Sequence, residues 1–240
     1  MTSIRFSAPG AFALLAAFVS APAHAETKLE LGARTGYALR FGEASAGEAS
    51  AVVSGDMAES QVPLWFDLGA RAGSHAFVGA YLQYGVVVLD DELVESCSEL
   101  DRTYREQGGN ASCRVHDLRL GAQFHYHFVP PGRGVDPWVG VGFGYEWLSA
   151  GVFALGDAGS GDFGLTLHGF EFVNVQAGLD VPAAGSMTVG PFVAFSFGAY
   201  ERLSRSCLGE LCSEADATDR LRDAALHQWL FFGVRAEFLP

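Results

Sequence analysis

Four cysteines, two histidines set two residues apart, and a scatter of acids and arginines are the side chains here with chemistry to offer. Cys97, Cys113, Cys207 and Cys212 all fall in acidic stretches. Four cysteines allow three pairings. Cys97–Cys113 and Cys207–Cys212 are favoured because each closes a short ring, and metal binding is disfavoured because no C-x-x-C pair is present. His125 and His127 lie on one face of an extended segment, a spacing that can hold zinc, but no third ligand is nominated. Polar lining near one end of the fold is the favoured reading. His168 with Ser160 or Glu171 is the one grouping that suggests nucleophilic catalysis, and its spacing matches no motif. No enzymatic activity and no cofactor are expected. Asn110-Ala-Ser has the form of a glycosylation acceptor and is read as a chance match.

The elements that must position these residues have a period of two. In "VHDLRLGAQFHYHFV" (115–129), Leu118, Leu120, Ala122, Phe124, Tyr126 and Phe128 fall on one parity. Asp117, Arg119, Gly121, Gln123, His125 and His127 fall on the other. A strand sends alternate side chains to opposite faces. Similar alternation marks eight segments, 29–41, 62–71, 77–89, 114–129, 137–147, 169–181, 188–200 and 226–238. Connections alternate in length. Short turns "AGSH" (72–75), "PPGRG" (130–134) and "PAAGS" (182–186) face long links at 42–61, 90–113, 151–162 and 201–224. An even number of strands with long loops at one end and tight turns at the other is the plan of a membrane β-barrel.

Composition agrees. The chain has 30 glycines and 19 phenylalanines, with 15 basic against 28 acidic residues. The acid is concentrated in the long links, and the net charge is the wrong sign for a nucleic-acid partner. Residues 1–25, with Arg5, the apolar run 8–19 and Ala23-His24-Ala25, read as an export signal. Residues 26–240 are expected to form the barrel. Leu93, Cys97, Leu100 and Tyr104 recur at helical spacing before Gly108-Gly109, which predicts a short helix in the second long link.

The apolar parity lacks charge across the middle of every strand, with His116 and Glu171 as exceptions toward the long-loop side. The other parity mixes glycine with a few charges. That pattern fits an apolar exterior against lipid and a crowded interior in which glycines make room for long side chains. Arg34, Arg40, Asp67, Arg71, Asp117, Arg119, Glu146, Asp180, Arg235 and Glu237 are the expected interior charges, joined by Glu30. Arg119 is expected to pair with Asp67 or Glu146. A filled structural tube is favoured over a conducting pathway.

"PWVGVGFGYEW" (137–147) and "FGVRAEF" (232–238) resemble, respectively, the glycine-alternating strand and the C-terminal assembly signal of the eight-stranded outer-membrane β-barrels of Gram-negative bacteria, the group typified by outer membrane protein A. The resemblance implies an all-β antiparallel barrel in the outer membrane, inserted by the outer-membrane assembly machinery. The expected role is non-enzymatic, structural or surface-interacting, as a monomer among outer-membrane lipids and lipopolysaccharide. Divalent cations bridging the acidic loops to lipopolysaccharide phosphates are one expected contact. A narrow channel for small polar solutes is the alternative, and a lipid-modifying enzyme or a soluble lipocalin-like barrel are lesser ones.

Overall fold

A computed structural model describes residues 27–41, 59–89, 91–156, 159–209 and 217–240; the expected export signal and the 42–58 link lie outside them. Eight antiparallel strands close into one barrel in chain order. They are β1 (Thr27–Phe41), β2 (Ser60–Ala72), β3 (Ala76–Val88), β4 (Asn110–His127), β5 (Asp136–Gly156), β6 (Gly159–Ala184), β7 (Met187–Gly209) and β8 (Ala217–Phe238). Closure is made by β1 against β8, from Leu31↔Phe238 to Phe41↔Gln228. Gly73 (φ 64°) and Gly185 (φ 57°) supply the left-handed backbone that two of the tight turns need.

The outside is apolar. Leu64, Phe66, Leu68, Val78, Leu120, Val141, Phe143, Phe170, Val175, Val193, Phe195 and Val234 are all exposed. Across β6 this band runs from Val181 to Phe170, about 25 Å of height for tilted strands, the thickness of a bilayer core. Aromatics sit at both edges. Tyr145 packs on Trp147 (4.7 Å) and Phe170 (5.1 Å) at one, and Tyr126 on Phe128 (5.2 Å) at the other.

In two of the four long links, most of the described residues are strand. The β5–β6 ladder continues through 151–162 to Gly156↔Gly159, and β7 and β8 remain paired up to Arg205↔Ala217 within 201–224. The expectation fails for a physical reason. Above the lipid band the polarity reverts to that of a water-exposed barrel, with Ser149, Thr166, Ser204 and Thr218 on the outer face and buried Leu148, Leu167 and Leu203 inside. A search for apolar residues on the outward parity therefore loses these strands where they leave the membrane.

The second link does hold a helix, α1 (Asp91–Glu106). It is tied to β4 by the Cys97–Cys113 disulfide and by Asp101, whose carboxylate accepts the Ala111 N–H at 3.0 Å and the Arg105 Nε–H at 2.7 Å. These donors, the backbone one first, hold the Asp101 carboxyl below the ordinary aspartate range. Cys207 lies on β7, and Cys212 lies outside the described residues.

Candidate functional site

Inside the barrel lie two ion-pair layers separated by aromatic rings. The layer nearer the long-loop end centres on Arg119, fully buried. Its guanidinium donates to Asp117 (2.8 Å), Glu146 (3.0 Å), Glu171 (3.3 Å) and Ser196 (3.1 Å). Tyr200 adds a bond to Glu146 at 2.5 Å, the His227 ring another at 2.7 Å, and Tyr81 and Ser196 donate to Glu171. Gln61 donates to Asp117 at 3.1 Å.

Glu171 corrects the parity assignment. Alternation along the strand assigns it to the outward face, yet it is buried in the lumen. A register shift between Glu171 and Val173, matched on the β5 side between Gly142 and Gly144, puts one extra residue into β6 and turns Glu171 inward while leaving Phe170 and Phe172 on the lipid side. Arg119 reaches Glu146, whereas Asp67, the other partner expected from sequence, lies in the second layer and accepts from Arg34 at 2.7 Å.

That second layer, toward the tight turns, holds Arg34, Arg71 and Arg235 against Glu30, Asp67, Asp180 and Glu237. Arg71 bridges Glu30 and Glu237, each at 2.7 Å. Arg235 contacts Glu30 (3.1 Å), Asp180 (2.9 Å) and Glu237 (2.9 Å). Gln123 and Gln176 accept from Arg34, and Gln123 also donates to Asp67. Arg40 stands toward the other end, half-buried opposite Trp229 in the β1–β8 register.

Aromatic rings fill the space between. Trp65 packs on Tyr81, Phe192 and Phe231 at 5.3–6.2 Å. Arg34 lies 4.7 Å from the Trp65 ring centre on one side, and Arg119 lies 5.1 Å from Phe231 on the other. Arg235 covers Trp138 at 4.6 Å. Glycines admit these groups: a Cβ on Gly140 would come within 2.5 Å of His125, and one on Gly178 within 2.7 Å of Trp138. The interior aromatics are readable from parity, since Trp65 alternates with Leu64 and Phe66, and Trp229 and Phe231 share a parity with Arg235.

His125 and His127 lie at the tight-turn end. The first is stacked between Phe77 (4.8 Å) and Trp138 (4.9 Å), and the second bonds Asp136 at 2.9 Å. The structure supplies the missing third ligand as Glu30, and a separate group sets Asp180 and Glu237 around His127 alone. Arg71 and Arg235 already donate to these carboxylates, and Arg71 also lies 2.9 Å from His127 Nε2. The guanidiniums of Arg71 and Arg235 thus already engage the carboxylates and the His127 ring that a metal would take as ligands.

The His168, Ser160 and Glu171 grouping is not assembled. Glu171 faces the lumen and Ser160 pairs with Leu155 far up the hairpin, while His168 on the outer wall contacts Tyr145 (2.7 Å) and Ser204 (3.1 Å). Above the outer ion layer the mouth opens into a cavity of about 550 Å³, lined by Leu93, Leu100, Val115, Val152, Phe163 and Leu165 with Arg114 and Arg205.

No family model and no curated protein matches this chain. Among solved structures, a major outer membrane protein from Thermus thermophilus superposes with a TM-score of 0.57 at 11% identity, covering 89% of this chain and all of that one. Neisserial surface protein A (TM-score 0.45, 9% identity, 89% and 98% coverage) and the outer membrane protein AlkL (0.43, 15%, 92% and 95%) are also similar. The likeness to the Thermus protein is one of fold. With its apolar belt outside and its charges within, the chain has the fold of a small outer-membrane β-barrel: eight antiparallel strands that cross a bilayer.

Proposed function

We propose that this chain is a non-enzymatic, non-conducting barrel of an outer membrane, inserted by the assembly machinery as a monomer, whose role is to anchor and display its outer rim. The observation that carries the reading is the filled lumen. Arg119 and Arg235 are each 0–1% exposed, and Trp65, Trp229, Phe231 and Tyr81 close the section between them. Eight strands leave an interior that side chains can fill, and here they do so with paired charges and rings. Ion transit would require several salt bridges to open at once.

At the rim, α1 and its disulfide to β4 hold an acidic surface clear of the membrane, and the apolar cavity beneath gives that rim a concave face of ligand size. Both features suit surface interaction better than solute passage. The purified protein in planar bilayers is expected to give no unitary current steps in ordinary potassium chloride. Reproducible steps from the wild-type protein would instead establish the narrow-channel reading.

A further inference from the structure

The outward face of the barrel changes character along one line. On β6 the last lipid-facing ring is Phe170, and the next outward residue is His168. His168 stands opposite Trp147 on β5 and opposite Arg202 on β7, and Arg202 stands opposite Arg220 on β8. Four neighbouring strands thus present Trp–His–Arg–Arg side by side above the apolar band, the β7–β8 pair following a register shift between Tyr200 and Arg202. Immediately above that row, Ser204 and Thr218 hydroxyls meet at 3.0 Å, which fixes these partners on the same outer face.

Two arginines directly opposite in an antiparallel pair have Cβ atoms only about 4.5–5.5 Å apart, and like charges there repel. Both are exposed, and among the described residues neither has an acidic partner within 4.0 Å. The nearby pairs are made by other arginines: Arg114 takes Asp162 and Arg205 faces Asp219. An isolated repulsive pair in water would be an inert surface feature. This one lies where phosphate groups of the outer leaflet must sit, beside a tryptophan at interface depth.

We propose that Arg202 and Arg220, with His168, Trp147 and the Ser204–Thr218 hydroxyls, form a binding site for a phosphorylated lipid headgroup of the outer leaflet. A phosphomonoester accepts hydrogen bonds from both guanidinium forks and neutralises their repulsion. The acyl chains then descend along Phe170, Phe197 and Leu226, and the Trp147 indole covers the sugar or glycerol above. This contact is direct, and differs from cation-bridged attachment to the acidic loops.

The test is lipid retention by the full-length protein in detergent micelles, read by native mass spectrometry during titration with bisphosphorylated lipid A. Wild-type protein is expected to keep the lipid, and R202Q/R220Q to bind it about tenfold or more weakly, as expected for lost charge-assisted contacts. R133Q, in a tight turn at the opposite end, is expected to match wild type. R202K/R220K, which keeps charge without the fork, should fall between and serves if the glutamine variant does not fold. Equal retention by all four proteins, or of lipid A stripped of phosphate, would overturn the assignment. Displacement of the lipid by millimolar inorganic phosphate would also overturn it, by showing a site for a free anion.

Discussion

Replacing Arg119 by alanine is expected to destabilise the folded barrel by about 3–5 kcal/mol, the cost of removing one partner from a buried ionic cluster. Arg119 is the sole arginine among the described residues bonded to Asp117, Glu146 and Glu171, all of them buried. Without it, three carboxylates remain in a low-dielectric lumen, Glu146 and Glu171 with hydroxyls, the His227 ring and the Asn174 amide as donors, and Asp117 with the Gln61 amide. Urea unfolding in lipid vesicles, followed by tryptophan emission, measures the loss. E146Q/E171Q added to R119A should restore part of it, because most of the penalty is the stranded charge rather than the missing attraction. An unchanged unfolding midpoint in R119A would show that the layer is hydrated and the lumen open.

The second large effect concerns space. Gly121 on β4 faces the Tyr81 ring so closely that a Cβ there would overlap the ring and the Phe143 carbonyl, and at Gly144 on β5 it would come within 2.5 Å of the Tyr81 hydroxyl. Gly121→Val should therefore push Tyr81 from its bond to Glu171 and off Trp65, costing about 1–3 kcal/mol for the overpacking, with more if the Glu171 bond is not replaced. Gly73→Ala, in a tight turn with open space around its Cβ position, tests a different constraint, since its penalty comes from φ alone and should be about 1 kcal/mol. The same vesicle unfolding assay separates them. Gly121→Val matching Gly73→Ala would mean that the lumen has slack.

Much of this architecture is legible from alternation, because lipid imposes a one-sided rule on every strand that crosses it. The eight crossings, the tight-turn end and the helix before Gly108-Gly109 follow from spacing. Three features escape the rule, each for a physical reason. The upper parts of β5 to β8 leave the membrane and take the opposite polarity, so 151–162 and 201–224 read as loops. One extra residue in β6, between Glu171 and Val173, carries Glu171 to the inner face, and a bulge leaves no mark that parity alone can find.

Partner choice is the third. Arg119 is placed inside by its neighbours in the strand, but its preference for Glu146 over Asp67 depends on how far each strand is staggered around the closed sheet. The β4–β5 register sets Arg119 opposite Glu146, whereas Asp67 stands opposite Tyr81 and Gly32. Stagger is a property of closure, absent from any one strand. The Trp147–His168–Arg202–Arg220 row has the same origin, since its members are far apart in the chain and meet only through three registers.

Polarity is inverted within the bilayer and reverts above His168. Nitroxide labels on single cysteines introduced at Leu68, Val141, Phe195, Ser149 and Thr166, in protein reconstituted into vesicles, test it most directly. The first three are predicted to relax by collision with lipid-dissolved oxygen and to be shielded from an aqueous nickel chelate. The labels at Ser149 and Thr166 are predicted to show the reverse. Nickel-chelate access at positions 68, 141 and 195 equal to that at 149 and 166 would mean that the outer face meets water along its whole height and no lipid belt exists.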